Sequence, residues 1–355
     1  MILPHTSKEK SSFYTQHRHG YNVQFSPTDA NSLAVATSQC FGSVGGGTLF
    51  LLKLNENGAI NKVKSFNWTD GLFDIAWSKH IVNVLISACG DSNVLLWDVN
   101  SETNAVISTF SGYSKPKSCY NEHSKEVCCV DWNHLSEDSL FLSSSWDCSI
   151  KLWNPDYAMS LKTYNSHTKL VYESRFAKKI PNIFMSVSAD GYLKIWDFLQ
   201  PYPVSSLLAH QKSEVLSCDW SEFDQNVFAS GGSDGLIRGW DLRYMTHPLF
   251  ELYGCEYAMR RVRFSPFDSD ILASVSYDHT TRIWNWQHDC EALETITHHT
   301  EFNYGLDWNR LVRNQLADCG WLKANNLYQN VHSMIDGTTI VFLSLFTLFT
   351  SRILE

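Results

Sequence analysis

The chain has 355 residues, which at roughly 150 residues per domain leaves room for two ordinary domains or one large barrel or propeller. Hydrophobic residues make up 44% and charged ones 18%, which excludes an intrinsically disordered chain, because enough apolar surface is present to offset chain entropy. The formal net charge of −9 argues against a nucleic-acid backbone as the main partner and leaves room for a basic protein or peptide.

The opening segment MILPHTSKEKSS lacks an apolar run, so no secretory signal is expected. From there a short motif returns along the chain: an apolar stretch ending in an aromatic residue. It appears as GYNVQF (20–25), LFDIAW (72–77), VCCVDW (127–132), VYESRF (171–176), VLSCDW (215–220), MRRVRF (259–264) and NYGLDW (303–308), which makes seven units. A second pattern follows the motif in five of them. Ser is followed four residues on by Asp and six further on by Trp: Ser87/Asp91/Trp97, Ser143/Asp147/Trp153, Ser186/Asp190/Trp196, Ser230/Asp234/Trp240 and Ser274/Asp278/Trp284. The Trp-to-Trp steps are 56, 43, 44 and 44, and the long first step holds an inserted loop around Asn104–Glu122. His123, His167 and His210 each precede their Asp by 23 or 24 residues.

Alternation at period two marks strands, and Ser/Asp/Gly clusters mark turns, so each unit is predicted to be a four-stranded sheet with the Asp at a tight turn. At these offsets Trp, Ser, His and Asp complete one buried hydrogen-bond chain, in which every polar group finds a partner. These residues are therefore assigned to the scaffold and not to acid–base chemistry. The 13 Trp residues find their structural reason in the same chain, since a buried indole N–H needs an acceptor.

Two units depart from the pattern. In the first, Leu52-Lys53 stands where Trp-Asp belongs. In the last, the run ADCGW (317–321) is followed by Leu322 and not by Asp. Two alternatives stand there. Asp336–Phe342 restores the Asp-to-aromatic interval, making residues 322–335 an inserted turn; or everything after Trp321 is an aberrant tail and the last unit is incomplete. The second is preferred, because Thr339–Phe349 is long and apolar for one strand. An open last unit would expose a sheet edge. The uncharged stretch Gly337–Ser351 is 15 residues, short of the ~20 that a membrane helix needs, so no transmembrane span is expected.

The ten cysteines contain no C-x-x-C. They are expected to be reduced core residues of an intracellular protein, with no disulfide framework and no metal site. The pair His298-His299 falls where the last unit's His belongs and is assigned to the scaffold. No G-x-S-x-G elbow, H-E-x-x-H or Walker A motif occurs, and Gly45-Gly46-Gly47 is not followed by Lys-Ser/Thr, so neither an enzyme nor a cofactor is expected.

The Ser/Asp/Trp triplets resemble the WD40-repeat family. The resemblance implies an all-β fold, a seven-bladed WD40 β-propeller, its seventh blade incomplete on the preferred alternative above, with residues 1–11 as an N-terminal arm, 12–321 as the propeller and 322–355 as a divergent tail. The N-terminal strand of that family completes the last blade, and Phe13–His17 is the expected strand here. In such rings the top face draws on the residue before the tight-turn Asp and on those flanking the first apolar residue of each inner strand. Carried onto this chain, those positions and their neighbours give Asp70, Phe73, Asp74, Glu126, Trp146, Tyr172, Glu214, Arg260, Tyr277 and Tyr304. The set is aromatic and acidic, with Arg260 as the lone cation, and suits a basic amphipathic helix laid across the ring.

Longer stretches are similar to one group within that family, the receptors for the type-2 peroxisomal targeting signal: GYNVQFSP (20–27), WTDGLFDIAWS (68–78), NEHSKEVCCVDWN (121–133), SSSWDCSIKLWNP (143–155) and CEYAMRRVRFSPF (255–267). That resemblance implies a non-catalytic import receptor in the cytosol, a monomer before cargo binds. It would recognise matrix proteins by an N-terminal signal of the form Arg/Lys–Leu/Val/Ile–five residues–His/Gln–Leu/Ala, and cycle to the peroxisome with a co-receptor peroxin. A carboxylate would receive the signal's cation, and Trp146 and Tyr172 would floor its apolar face. The alternative is a substrate receptor of a ubiquitin ligase, docking its adaptor through the W-D-x-R box Trp240–Arg243.

Overall fold

The computed structural model describes residues 10–15, 17–100, 106–108, 122–136, 138–288, 290–322 and 338–345. Most of the inserted loop and of the C-terminal tail, and residues 1–9 of the N-terminal arm, lie outside these residues. The described chain is all-β apart from one 3-10 turn at Cys40–Gly42. It forms a WD40-type β-propeller.

Six blades are built from four consecutive antiparallel strands each. Their inner strands are His19–Phe25, Leu72–Trp77, Val127–Trp132, Val171–Phe176, Val215–Trp220 and Met259–Phe264, numbered here as blades 1 to 6. These strands are buried along almost their whole length, so the apolar runs that marked the units in the sequence line the ring's interior. A further four-stranded sheet is assembled from both chain ends. Its inner strand is Asn303–Trp308, followed outward by Gln315–Leu322, Thr338–Leu345 and Lys10–Thr15.

That sheet corrects two expectations. The N-terminal strand is Lys10–Thr15 rather than Phe13–His17, and it pairs with the C-terminal segment, Phe13 opposite Val341. The segment after residue 322 is not wholly a tail, because Thr338–Leu345 lies between the two neighbouring strands, Ala317 opposite Leu343. The described strand takes in residues 338–345 of that apolar stretch, and the rest of it lies outside the described residues. Phe13 meets Phe50 of blade 1 edge-on at 6.4 Å, which fastens the N-terminal strand to the neighbouring hydrophobic cluster.

The tight turns explain why Asp recurs. The residue after it takes a left-handed backbone in five blades: Ser92, Cys148, Gly191, Gly235 and His279, with φ between 69° and 83°. The Asp side chain accepts the backbone N–H two residues on, as from Ser149 to Asp147 at 2.9 Å and from Tyr192 to Asp190 at 3.0 Å. A short carboxylate holds such a turn, and glycine fits the left-handed position with least strain.

The buried chain runs from these turns into the core. Trp97, Trp153, Trp196, Trp240 and Trp284 donate their indole N–H to Ser87, Ser143, Ser186, Ser230 and Ser274 at 2.8–3.0 Å. His123, His167 and His210 join the middle three serines to Asp147, Asp190 and Asp234. Burial alone would raise Asp190 and Asp234, but the histidine hydrogen bonds and charges outweigh it and hold both at about 2. Blades without the His use other donors. Trp68 donates to Asp91 at 2.7 Å, and Arg282 donates to Asp278 at 2.6 Å with Cys255 standing in the His position. In the last sheet Asp318 replaces the Ser and is met by both His298 and His299.

Adjacent blades are stitched by carboxylates. Asp131 accepts from Phe176 N–H, Asp219 from Phe264 N–H, and Asp307 from Phe25 N–H, all at 2.8–2.9 Å. The last of these joins the chain's final inner strand to its first. The ring is therefore closed at the channel wall by residues that precede position 322.

Candidate functional site

The inner strands share an irregularity at their starting end. Each of the seven has a register shift near its first residues, at Tyr21, Phe73, Cys128, Tyr172, Leu216, Arg260 and Tyr304. An extra residue on one strand bends it and re-aims the side chain, a device common beside binding sites. The seven bulged residues ring one mouth of the channel.

A second regularity sets another side chain beside each. The residue before the tight-turn Asp donates its backbone N–H to the carbonyl just ahead of the inner strand. The pairs are Gly90 to Gly71, Trp146 to Glu126, Ala189 to Leu170, Ser233 to Glu214 and Tyr277 to Ala258, at 2.9–3.1 Å. Trp321 donates to Phe302 at 2.9 Å in the same way. The two sets of positions expected at the top face are thus neighbours, blade by blade.

Trp321 is the residue that the sequence reading missed. It occupies the position of Trp146 and Tyr277, and stacks on Tyr304 with ring centroids 4.8 Å apart and planes 19° from parallel. Its offset was readable, but the absent Asp at 322 hid the triplet that would have marked it.

The ring is divided by chemistry. One arc is aromatic. Phe73 and Tyr304 each lie 5.0 Å from Tyr21, Tyr277 lies 5.2 Å from Tyr304, and Phe302 lies 4.8 Å from Tyr277. The rings are tilted or edge-on, the geometry aromatic quadrupoles favour. His19 borders this arc against Trp321 at 5.1 Å, and burial pushes it down to about 4, so it is neutral at physiological pH.

The other arc is acidic. Burial raises the Asp70 carboxyl, and the nearby Asp91 and Glu126 carboxylates raise it further, against the hydrogen bond from Gly71 N–H. The like charges beside Asp70 disfavour its ionised form and favour an incoming cation. The Asp70 carboxylate takes this position over Gly90, because a Cβ there would stand 2.7 Å from Asp70 Oδ1. Beside this arc Trp146 is 40% exposed, the open apolar surface of the mouth. Around the ring, Tyr172 donates its hydroxyl to Glu214 at 2.6 Å, and burial with this bond raises the phenol.

Asp70, Phe73, Glu126, Trp146, Tyr172, Glu214, Tyr277 and Tyr304 all belong to this mouth. Two expected members are placed differently. Asp74 is fully buried below the rim. It accepts from Asn22 and from Val130 N–H, and pairs with Arg261 at 3.3 Å. The bulge at Phe73 turns it inward, so it is a wall residue and not a docking carboxylate. Arg260 is only 8% exposed and lies over the Tyr304 ring at 5.4 Å, so it forms the floor of the mouth and not its rim.

The opposite end of the channel holds a cavity of about 210 Å³ lined by the last residues of the inner strands. Its charges are largely paired: Lys178 with Asp219 and Glu222, Arg310 with Glu222, and Arg175 with Asp131. His298, His299 and Asp318 bring three potential metal-ligand atoms within 4.8 Å of one another. They also occupy the places of a blade's own His and Ser, which accounts for their proximity. In the W-D-x-R box, Trp240 donates to Ser230 and Arg243 pairs with Asp241, so the box is engaged within its own blade. Among the described residues no helix is long and apolar enough to cross a membrane.

Comparison with known proteins agrees with this architecture. Residues 114–154, 201–241 and 247–285 match the WD domain, G-beta repeat family. The chain is 41% identical over 320 residues to the mouse peroxisomal targeting signal 2 receptor, covering 90% of this chain and 96% of the relative. It is 42% identical over 292 residues to the human peroxisomal targeting signal 2 receptor, covering 82% and 86%. Among solved structures, the WD40 beta propeller domain of Doa1 superposes with a TM-score of 0.71 at 17% identity, covering 95% of this chain and 97% of that one, a likeness of fold.

Proposed function

The chain belongs to the family of peroxisomal targeting signal 2 receptors, and from that premise we propose that its mouth binds the type-2 signal of peroxisomal matrix proteins as a short basic amphipathic helix. One observation carries the reading: a group of carboxylates and an aromatic arc border the same mouth of the channel. The signal's two apolar positions are seven residues apart, as are its basic and its His/Gln positions, so each pair falls on one helical face. Asp70 and Glu126 receive the Arg or Lys, and Glu214 offers a further carboxylate next to Tyr172. Trp146 and Tyr172 supply the apolar floor, with Phe73 next to Asp70 and Tyr277 and Tyr304 along the far arc.

The protein acts without catalysis, as a cytosolic monomer that loads cargo and travels to the peroxisome with a co-receptor peroxin. The ring works as a closed seven-bladed propeller, with residues 338–345 filling the last blade between the N-terminal strand and Gln315–Leu322. The test is capture of a matrix protein bearing the signal, alongside the same protein with the signal deleted. Retention of the first alone supports the reading, and retention of both or neither removes it. Charge reversal by Glu126→Lys or Glu214→Lys should weaken capture with the fold intact, and unchanged capture by both variants would remove the acidic-face assignment.

A further inference from the structure

The floor of the mouth carries a positive charge that the chain itself does not neutralise. The other channel arginines are matched. Glu173 accepts from Arg175 at 2.7 Å and from Arg263 at 2.6 Å, as well as from Cys218 N–H at 3.0 Å. Arg175 also reaches Asp131 at 2.9 Å, and Arg261 pairs with Asp74 at 3.3 Å. Arg260 is different. Among the described residues no carboxylate lies within ion-pair distance of its guanidinium, and its placed contact is the face of Tyr304. One acid whose charge acts on it, Glu173, is already held by two other arginines.

What surrounds Arg260 is suited to an anion. Its electrostatic neighbours include Tyr21, Tyr172, Tyr277 and Tyr304, contributed by four different blades. A guanidinium is charged at all relevant pH values and presents five donors in a planar fork that matches a carboxylate. Phenol hydroxyls donate as well, and the aromatic walls exclude water, which strengthens an ion pair formed between them. One layer below, the buried Arg261 Nε has no hydrogen-bond partner among the described residues, so the floor is under-supplied with acceptors at two successive positions.

We propose that Arg260 and the Tyr21, Tyr277 and Tyr304 side chains form a carboxylate subsite, which takes an Asp or Glu of the same peptide whose cation lies on the acidic arc. The inference rests on reading the mouth as the signal site. Asp70 and Glu126 belong to blades 2 and 3 and Arg260 to blade 6, with the intervening Glu214 carboxylate taken up by the Tyr172 hydroxyl, so the mouth is polar from side to side. A helix bearing a cation and a carboxylate on one face is thereby fixed in direction, and the same helix reversed would place like charges together. With a rise of about 1.5 Å per residue, a carboxylate four to seven residues from the cation sits about 6–10 Å along the helix from it. Those spacings fall largely within the five variable positions of the signal, which gives the subsite a role in choosing among cargoes that share the signal's fixed residues.

The experiment uses the full chain and labelled type-2 signal peptides. The parent peptide carries Gln at all five variable positions, and five others each carry one Glu. Polarisation titrations on wild type and on Arg260→Met give a Glu-to-Gln affinity ratio for each position and each protein. At least one position should bind tenfold tighter as Glu on wild type, with the ratio falling to near one in Arg260→Met. Tyr277→Phe, a milder change, should reduce the same ratio. No Glu preference on wild type, or a preference that survives Arg260→Met, overturns the subsite while leaving the receptor reading in place. Failure of even the parent peptide to bind removes the receptor reading instead. A titration of N-acetylglutamate followed by arginine side-chain NMR then decides the subsite by itself. One saturating arginine resonance, absent from Arg260→Met, supports it, and no shift overturns it.

Discussion

Asp70 offers the sharpest test of the acidic arc, because the same carboxylate should act with opposite sign on stability and on binding. In the free protein it is crowded by Asp91 and Glu126 and partly desolvated. Asp70→Asn keeps the acceptor for Gly71 N–H, which now lies 2.6 Å from Oδ1, and removes only the charge. Relief of like-charge repulsion at such a partly exposed site is worth a few tenths of a kcal/mol, so the variant should unfold at the same temperature or slightly higher. Binding should move the other way. Unit charges 4 Å apart at an effective dielectric of about 20 attract by about 4 kcal/mol. Desolvation and side-chain ordering offset most of that, leaving about 1–2 kcal/mol, or about a 5- to 30-fold loss in affinity. Glu126→Gln should do the same, and the double variant should lose less than the sum, since both groups face one cation. The assay is peptide polarisation beside thermal unfolding, at low and physiological salt, with the larger effect at low salt. The pH dependence has a fixed sign. The Asp70 carboxyl is raised in the folded state, so the folded protein holds the proton more tightly. Free-protein stability should therefore fall as pH rises from the ordinary carboxylate range, about 4, through the raised value. Affinity within twofold of wild type in the double variant would refute the assignment of the cation to this arc.

Other outcomes follow from the scaffold. Glu173→Gln leaves Arg175 and Arg263 without their shared buried charge, which should cost about 3–5 kcal/mol and lower the melting temperature by about 10 °C; a fall of under 2 °C in calorimetry would contradict the buried network. Ser143→Ala removes the hydroxyl that serves both Trp153 and His123. The loss should be about 2–4 kcal/mol by urea unfolding, and a neutral result would mean that the chain of bonds is not carrying stability. Asp190 and Asp234 are held at about 2, so their contribution is complete above the ordinary carboxylate range and should drain away between pH 4 and about 2. Acid unfolding of His167→Gln and His210→Gln should show a shallower slope there, and an unchanged slope would sink the linkage. Ser92→Gly relaxes a left-handed residue at φ 69° and should stabilise the fold by about 1 kcal/mol, measured as a shift in the urea midpoint.

Much of this was written in the chain at fixed offsets. The Ser, Asp and Trp of a blade must meet across three strands and a tight turn, and that geometry allows almost no drift in spacing. The offsets were silent where one donor replaces another. Trp68 and Arg282 satisfy Asp91 and Asp278 in place of a His, and nothing in a spacing pattern marks that exchange. The site was legible as a set of positions and illegible in depth. Simple alternation does not announce a bulge, and the bulge beside Phe73 is what separates an outward Phe73 from a buried Asp74. Arg260 stands at the same bulged position as Phe73, and its burial comes from packing over Tyr304 of the neighbouring sheet, which a spacing pattern does not record. The C-terminal strand was obscured by its own composition. An apolar run is ambiguous when its partners come from the far end of the sequence, as Lys10–Thr15 does here.

The measurement that bears most directly on the whole account is polarisation of a labelled type-2 signal peptide on the full chain, with and without the co-receptor peroxin. The control is the same peptide with its Arg/Lys and Leu changed to Asp and Gly. Selective binding that tightens with the co-receptor and is lost in the control is the predicted result. Equal binding of both peptides, or no binding by protein shown to be folded by a cooperative thermal transition, would contradict it.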